Sequence, residues 1–140
     1  MTADSLATTA EEETVAAGER FARTLAPGAV ILLYGQLGAG KTAFVRGIAR
    51  GLGAAADEVS SPTFTIIQEY RAPEVTLYHV DLYRLEPVEV DDLGLEELVS
   101  GGGIVAIEWA ERWRGRPGDA IEVRIEDRGE DRRAIEVRKP

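Results

Sequence analysis

From Ala29 to Tyr34 the chain runs through apolar residues without a break, and it does so again from Ile104 to Ile107. Pro27-Gly28 precedes the first run and Gly101-Gly102-Gly103 the second. Short continuous runs bounded by turn residues predict strands buried on both faces, as in a parallel sheet covered by helices. Elsewhere the apolar residues recur with helical spacing. Val15, Phe21, Ala22 and Leu25 predict a first helix over Glu11–Leu25, acidic at its start, capped by Thr9 and stopped by Pro27-Gly28. Phe44, Val45, Ile48 and Leu52 predict a second over Lys41–Leu52, ended by Gly53. Residues 54–62 read as loop. Thr63–Tyr70, rich in β-branched and aromatic residues, and Val75–Val80 predict an antiparallel hairpin closed over Arg71–Glu74. Pro87–Val99 reads as a loose acidic helical region broken at Gly94. Alternation at Ile121, Val123 and Ile125, then at Ile135 and Val137, predicts two strands with one wet face, joined across Asp127–Arg132. Strands alternating with helices predict an α/β fold in three layers: a mostly parallel central sheet, with antiparallel hairpins at its edge and at the C-terminus.

Composition works mainly by exclusion. The 140 residues suit a single domain spanning 1–140, with no repeat or linker to divide it. An apolar share of 44% with 29% charged residues is ordinary for a globular chain and unlike a disordered one. Sixteen basic residues against 25 acidic ones leave a net charge of −9, which opposes broad contact with nucleic acid or an anionic membrane. The absence of cysteine excludes disulfides, thiolate zinc sites and cysteine nucleophiles. The longest apolar run falls far short of the roughly 20 residues of a membrane span. Residues 1–10 show neither the basic start nor the apolar stretch of a secretory signal, so a cytoplasmic protein is expected.

Between the first predicted strand and the second predicted helix lies Gly35-Gln36-Leu37-Gly38-Ala39-Gly40-Lys41-Thr42, which fits the phosphate-binding pattern of Gly, any four residues, Gly-Lys-Ser/Thr. Glycines permit the turns that aim backbone N–H groups at a phosphate. Lys41 supplies a compact charge for the β- and γ-phosphates, and the Thr42 hydroxyl suits Mg²⁺. The helix that follows offers the anion its positive end. By chance the pattern would occur in about one chain of this length in two hundred. Its placement between a buried strand and a helix, on one of only two lysines (Lys41 and Lys139), makes a plain glycine turn the poorer explanation. Gly35, Gly38, Ala39, Gly40, Lys41, Thr42 and Ala43 are therefore the candidate nucleotide-binding residues, with Mg²⁺ expected beside the phosphates. Two acids follow predicted strands, Asp81 after Val75–Val80 and Glu108 after Ile104–Ile107. If both strands run parallel to Ala29–Tyr34, both carboxylates arrive beside the glycine loop, since ligands in open α/β sheets bind beyond the carboxyl ends of the strands. Lys41, Asp81 and Glu108 are the candidate catalytic residues.

Four blocks in this order carry a more specific likeness: Gln36–Thr42, Ser61-Pro62-Thr63-Phe64, His79-Val80-Asp81-Leu82-Tyr83-Arg84 and Ile107-Glu108-Trp109. Together they resemble the TsaE family, small bacterial P-loop ATPases required for threonylcarbamoyladenosine modification of tRNA. The resemblance covers nearly the whole chain. It implies a P-loop NTPase-like fold, ATP hydrolysis with Mg²⁺, and partnership with TsaD and TsaB, which would meet the tRNA in its place. It further implies that Thr42 and Glu108 are magnesium ligands, that Asp81 positions or activates water, and that 61–64 form a switch-like loop near the γ-phosphate. Arg133 matches an arginine that approaches the nucleotide, with Arg132 competing for the part. Two positions depart from the family pattern: Gln36 stands where aspartate is usual, and Ala110 where proline is common.

Other residues suit plainer roles. His79, the single histidine, reads as a structural imidazole or a support for Asp81 rather than a proton carrier, because phosphoryl transfer depends on positioning and charge. Trp109 is either a wall of the site, a partner contact or core; Trp113 reads as packing, Arg84 as surface, and Glu86–Glu97 as a solvated acidic face. Arg112, Arg114 and Arg116 are the one visible source of a local basic patch. Three functions compete. An ATPase serving a larger assembly is favoured. A small-molecule or nucleotide kinase needs an acceptor pocket and a lid that the chain has little room for. A nucleotide-occupied scaffold without turnover is the third, and a GTP switch of the common type is excluded because Asn-Lys-x-Asp cannot occur in a chain without asparagine.

Overall fold

The computed structural model describes residues 2–36, 38–54 and 66–140. Strand β1 (Thr2–Thr8) leads into helix α1 (Glu11–Ala22), β2 (Val30–Tyr34) and α2 (Lys41–Leu52). Then come the hairpin β3 (Ile67–Arg71) and β4 (Thr76–Asp81), the short helices α3 (Pro87–Val90) and α4 (Leu95–Val99), and β5 (Ile104–Glu108). A 3₁₀ turn at Ala110–Arg112 and the long hairpin β6 (Ile121–Gly129) and β7 (Arg132–Lys139) complete the chain. All seven strands form one sheet in the order β1-β7-β6-β2-β5-β4-β3. The central four, β6, β2, β5 and β4, are parallel, and the outer pairs are antiparallel. Among the described residues no helix is long and apolar enough to cross a membrane.

Both faces of the centre are dry. Every residue of β2 and β5 is buried, as their unbroken apolar runs require. Ile31, Leu33, Leu77, Ala106, Val123 and Ile125 pack under α1 and α2. Leu32, Tyr34, Val80, Val105 and Ile107 pack on the other face with Val90 of α3, Leu95 of α4 and Trp113. Trp113 is thus a core residue, 1% exposed, with its indole N–H donated to Glu96. Helices α1 and α2 touch backbone to backbone: a Cβ on Gly47 would lie 2.0 Å from the Val15 carbonyl oxygen, and one on Gly18 2.2 Å from that of Phe44. Thr14 neighbours Gly40 at one end of this contact and Ala22 neighbours Gly51 at the other, so both helices start at the same edge of the sheet.

Several boundaries differ from expectation. Strand β1 lies where no element is expected, because its residues carry little apolar pattern; it is a strand through pairing, with Leu6 opposite Ile135 and Thr8 opposite Arg133 on β7. Helix α1 stops at Ala22 rather than Leu25: Arg23 and Thr24 bond to carbonyls three residues back, and the Thr24 hydroxyl takes the Phe21 carbonyl at 2.7 Å. Its cap position is Ala10, with no side-chain cap. Thr9 instead gives both its N–H and its hydroxyl to the Glu13 carboxylate, each at 2.9 Å. Among the described residues strand β3 begins at Ile67; the expected start at Thr63, with residues 63–65 and most of the expected loop 54–62, lies outside them.

Replacing Gly47 by alanine forces a side chain into a backbone contact, so G47A should lose about 1–3 kcal/mol of stability, read as a lower urea midpoint at an unchanged slope. The Thr9 donors hold the Glu13 carboxyl below its ordinary value of 4.5. The stability this adds is therefore full above pH 4.5 and disappears as the pH falls through the lowered value. Glu13→Gln should flatten that part of the acid limb in urea titrations run at successive pH values.

Candidate functional site

Parallel register decides which side chains meet. Leu33 of β2 stands opposite Glu108 of β5, and Glu108 stands opposite Asp81 of β4. The chain leaves β2 through the glycine loop at this same edge, so the loop, the start of α2 and both acids border one cavity of about 500 Å³. Its floor is Gly38, Gly40, Lys41, Thr42 and Ala43. Asp81, Glu108 and Trp109 form one wall, and Glu11, Thr14, Asp131 and Arg133 form the other. Gly40 sits at the head of α2 with φ of 108°, a backbone that a residue with a Cβ rarely takes. Ala39 is turned into the core, 1% exposed, and Gly35 contributes its carbonyl rather than lining the cavity.

Lys41 is 4% exposed. Its ammonium donates to the Gly35 carbonyl and lies 4.0 Å from the centre of the Trp109 ring. Trp109 reaches this position because it leaves β5 with φ of 58°, a left-handed backbone unusual for a bulky residue, and turns its ring back over the loop. Tyr83 packs on the same ring, with centroids 5.0 Å apart. Burial pulls the Lys41 ammonium below its ordinary pKa, opposed by the charges of Glu108, Glu111 and Asp81. Thr42 donates its hydroxyl to Glu108 Oε2 at 3.3 Å. The same oxygen lies 2.5 Å from His79 Nε2, with both side chains buried. Sequence reasoning makes His79 a structural imidazole in a strand or a support for Asp81; the structure buries it in β4 and bonds it to Glu108. Asp81 accepts the Tyr83 N–H at 3.0 Å, turning the chain as it leaves β4.

Arg133 and Arg132, left open by the sequence, go to different places. Arg133 hangs over the loop, its Nε 3.6 Å from where a Gly40 Cβ would be, and donates to Asp127 at 3.0 Å. Arg132 turns away to the Gly129 and Arg128 carbonyls of the hairpin. Sequence reasoning missed three residues of this wall: Glu11 and Thr14 of α1, and Asp131 at the β6–β7 turn. The only local signal was the acidic start of α1. The arginines near Trp113 are committed elsewhere: Arg112 to the Tyr83 and Leu85 carbonyls, Arg114 to Asp91, and Arg116 to the Ala110, Glu111 and Trp113 carbonyls. Arg84 and Gln36 are exposed, and Ala110 is buried. Residues 61–64 lie outside the described residues.

A glycine loop between the central strand and a helix, with two acids on neighbouring parallel strand ends in a three-layer sheet, defines an α/β protein of the P-loop NTPase-like class. The family model described as "Threonylcarbamoyl adenosine biosynthesis protein TsaE" matches residues 8–135. The tRNA threonylcarbamoyladenosine biosynthesis protein TsaE of Nostoc sp. is 46% identical over 131 residues, covering 91% of this chain and 80% of that protein. Its counterpart in Bacillus subtilis is 45% identical over 125 residues, covering 89% and 78%. The crystal structure of Bacillus subtilis YdiB superposes with a TM-score of 0.77 at 36% identity, over 97% of this chain and 84% of that one. The chain belongs to the TsaE family.

Because the folded state holds the Lys41 proton less tightly than the ordinary lysine value of 10.5, the unfolded chain binds more protons in the interval below 10.5. Wild type should therefore gain stability relative to Lys41→Met as the pH rises toward 10.5, with no further gain beyond. Paired urea titrations across the alkaline range read this difference directly.

Proposed function

We propose that this chain binds ATP with Mg²⁺ and hydrolyses it in the cytoplasm, in support of N6-threonylcarbamoyladenosine formation at position 37 of tRNA. TsaD and TsaB are the proposed partners, and the tRNA is reached only through them. Membership of the TsaE family supports the place in tRNA threonylcarbamoyladenosine biosynthesis. The observation that carries the chemical reading is the common cavity of Lys41, Thr42, Asp81 and Glu108.

The donor set fits the metal. Among the described residues no group of three or more His, Cys, Asp and Glu forms a metal cage. Mg²⁺ is typically held by one or two protein oxygens and completed by phosphates and water. The Thr42 hydroxyl and Glu108 carboxylate, already in contact, are oxygen donors of that kind. The charge balance agrees: four carboxylates line the cavity, Glu11, Asp81, Glu108 and Asp131, against the cations Lys41 and Arg133. A bare triphosphate would meet net repulsion there. Mg²⁺ held by Thr42 and Glu108 would supply the offsetting charge. Lys41 then neutralises charge on the γ-phosphoryl oxygens, Asp81 orients the attacking water, and Trp109 with Tyr83 shields that end from bulk solvent. Arg133 reaches the phosphates from the opposite wall, held in place by Asp127.

Phosphate release by the purified chain, with and without TsaD–TsaB, tests the reading. Asp81→Ala and Glu108→Ala should each slow turnover by about 100-fold or more while nucleotide binding persists. No Mg²⁺-dependent release in either condition rejects the ATPase, and full tRNA modification by both variants would favour the scaffold. Turnover that TsaD–TsaB leaves unchanged rejects activation by those partners. Arg133→Ala should weaken nucleotide binding about tenfold, the worth of one charge-assisted hydrogen bond, and Arg132→Ala should leave it unaltered in calorimetric titrations.

A further inference from the structure

His79 is fully buried on β4, two residues before Asp81 and on the same face of the strand. The residue opposite it on β5 is Ala106, whose small side chain leaves room for the imidazole to reach along the sheet to Glu108. There Nε2 lies 2.5 Å from Oε2, while Nδ1 has no hydrogen-bond partner among the described residues. A proton on Nδ1 would be a buried donor with nothing to accept it, so the ring carries its proton on Nε2 and donates it to the carboxylate. An aliphatic residue here would serve sheet and core without an orphaned nitrogen. Among the described residues the single polar contact that the imidazole makes is with Glu108. With Oε2 held by His79 and Thr42, Oε1 has no hydrogen-bond partner among the described residues.

We propose that His79 is a positioning residue for Glu108: its Nε2–H pins Oε2, fixes the plane of the carboxylate and presents Oε1 to a divalent cation carried with the nucleotide. The inference rests on the Mg²⁺–ATP reading of the cavity. His79 touches neither nucleotide nor metal and acts through Glu108 alone. Partners that orient a metal-ligating group in this way are typically worth 10–100-fold in metal affinity or activity.

The test uses the full chain with Mn²⁺ in place of Mg²⁺. Three quantities are read: the imidazole tautomer of the metal-free wild type by ¹⁵N NMR, Mn²⁺ affinity of the complex with a non-hydrolysable ATP analogue by electron paramagnetic resonance, and analogue affinity in EDTA. The ring should carry its proton on Nε2. His79→Phe, which keeps the bulk without the donor, should weaken Mn²⁺ by 10–100-fold and leave analogue affinity in EDTA unchanged. His79→Gln, whose amide N–H extends to the same point, should recover most of that loss. Mn²⁺ affinity in H79F equal to wild type, an equal loss in H79Q and H79F, or a proton on Nδ1 overturns the inference. If neither variant folds, the wild-type tautomer decides it. A wild type that takes up no Mn²⁺ with the analogue overturns the Mg²⁺–ATP reading itself, and this inference with it.

Discussion

Parallel registration of β4, β5 and β2 is the constraint from which the candidate site follows. Side chains alternate along each strand, so a shift of one residue would send Asp81 or Glu108 to the opposite face, among the apolar residues around Trp113. The register places Asp81 opposite Glu108 and Glu108 opposite Leu33. All three strands end at the edge where the glycine loop begins. What holds that register is the pair of dry faces: a slip of β5 would turn Ile107 and Val105 out of one core and bury Glu108 in the other.

The same edge concentrates buried charge. Lys41, His79 and Glu108 are each at most 4% exposed, and each is held by a short chain of contacts, from Gly35 to Lys41 and, separately, from Thr42 through Glu108 to His79, whose Nδ1 alone stays unpaired among the described buried side-chain atoms. Isolated charges at such depth are costly unless paired or hydrogen-bonded. Two independent strands and the loop must therefore be in place before these groups can be buried, which ties the geometry of the site to completion of the central sheet. Trp109 adds to this by covering the Lys41 ammonium with an aromatic face.

The second wall is built differently. Arg133 and Asp131, with the Asp127 that holds Arg133, come from the β6–β7 hairpin, whose first strand pairs parallel with β2 on the side away from β5, and Glu11 and Thr14 come from α1. Strand β1 links the two, pairing with β7 and passing into α1 through the buried hydroxyl contact of Thr8 with Thr14 at 2.8 Å. The close glycine contact of α1 with α2 then sets how near this wall stands to the loop.

Much of this is local chemistry and was legible in the chain. The dry strands announce themselves by unbroken apolar runs, the glycine loop by residues whose backbone freedom it needs, and Asp81 and Glu108 by their place at strand ends. The order of four short blocks identified the family, and the comparisons bear that out. Other features depend on partners distant in sequence. β1 is a strand because β7 is beside it. Arg133 differs from Arg132 only by which side of a twisted hairpin it falls on. His79 serves Glu108 rather than its near neighbour Asp81 because the register puts a small alanine across from it. Sequence by itself determined the types of the central strands and of α1 and α2, the loop and the acids, since these follow from spacing and residue chemistry along one stretch of chain. Only the tertiary structure decided the second wall and the histidine's partner, because contacts between residues far apart in the chain depend on register and strand order, which no local pattern encodes.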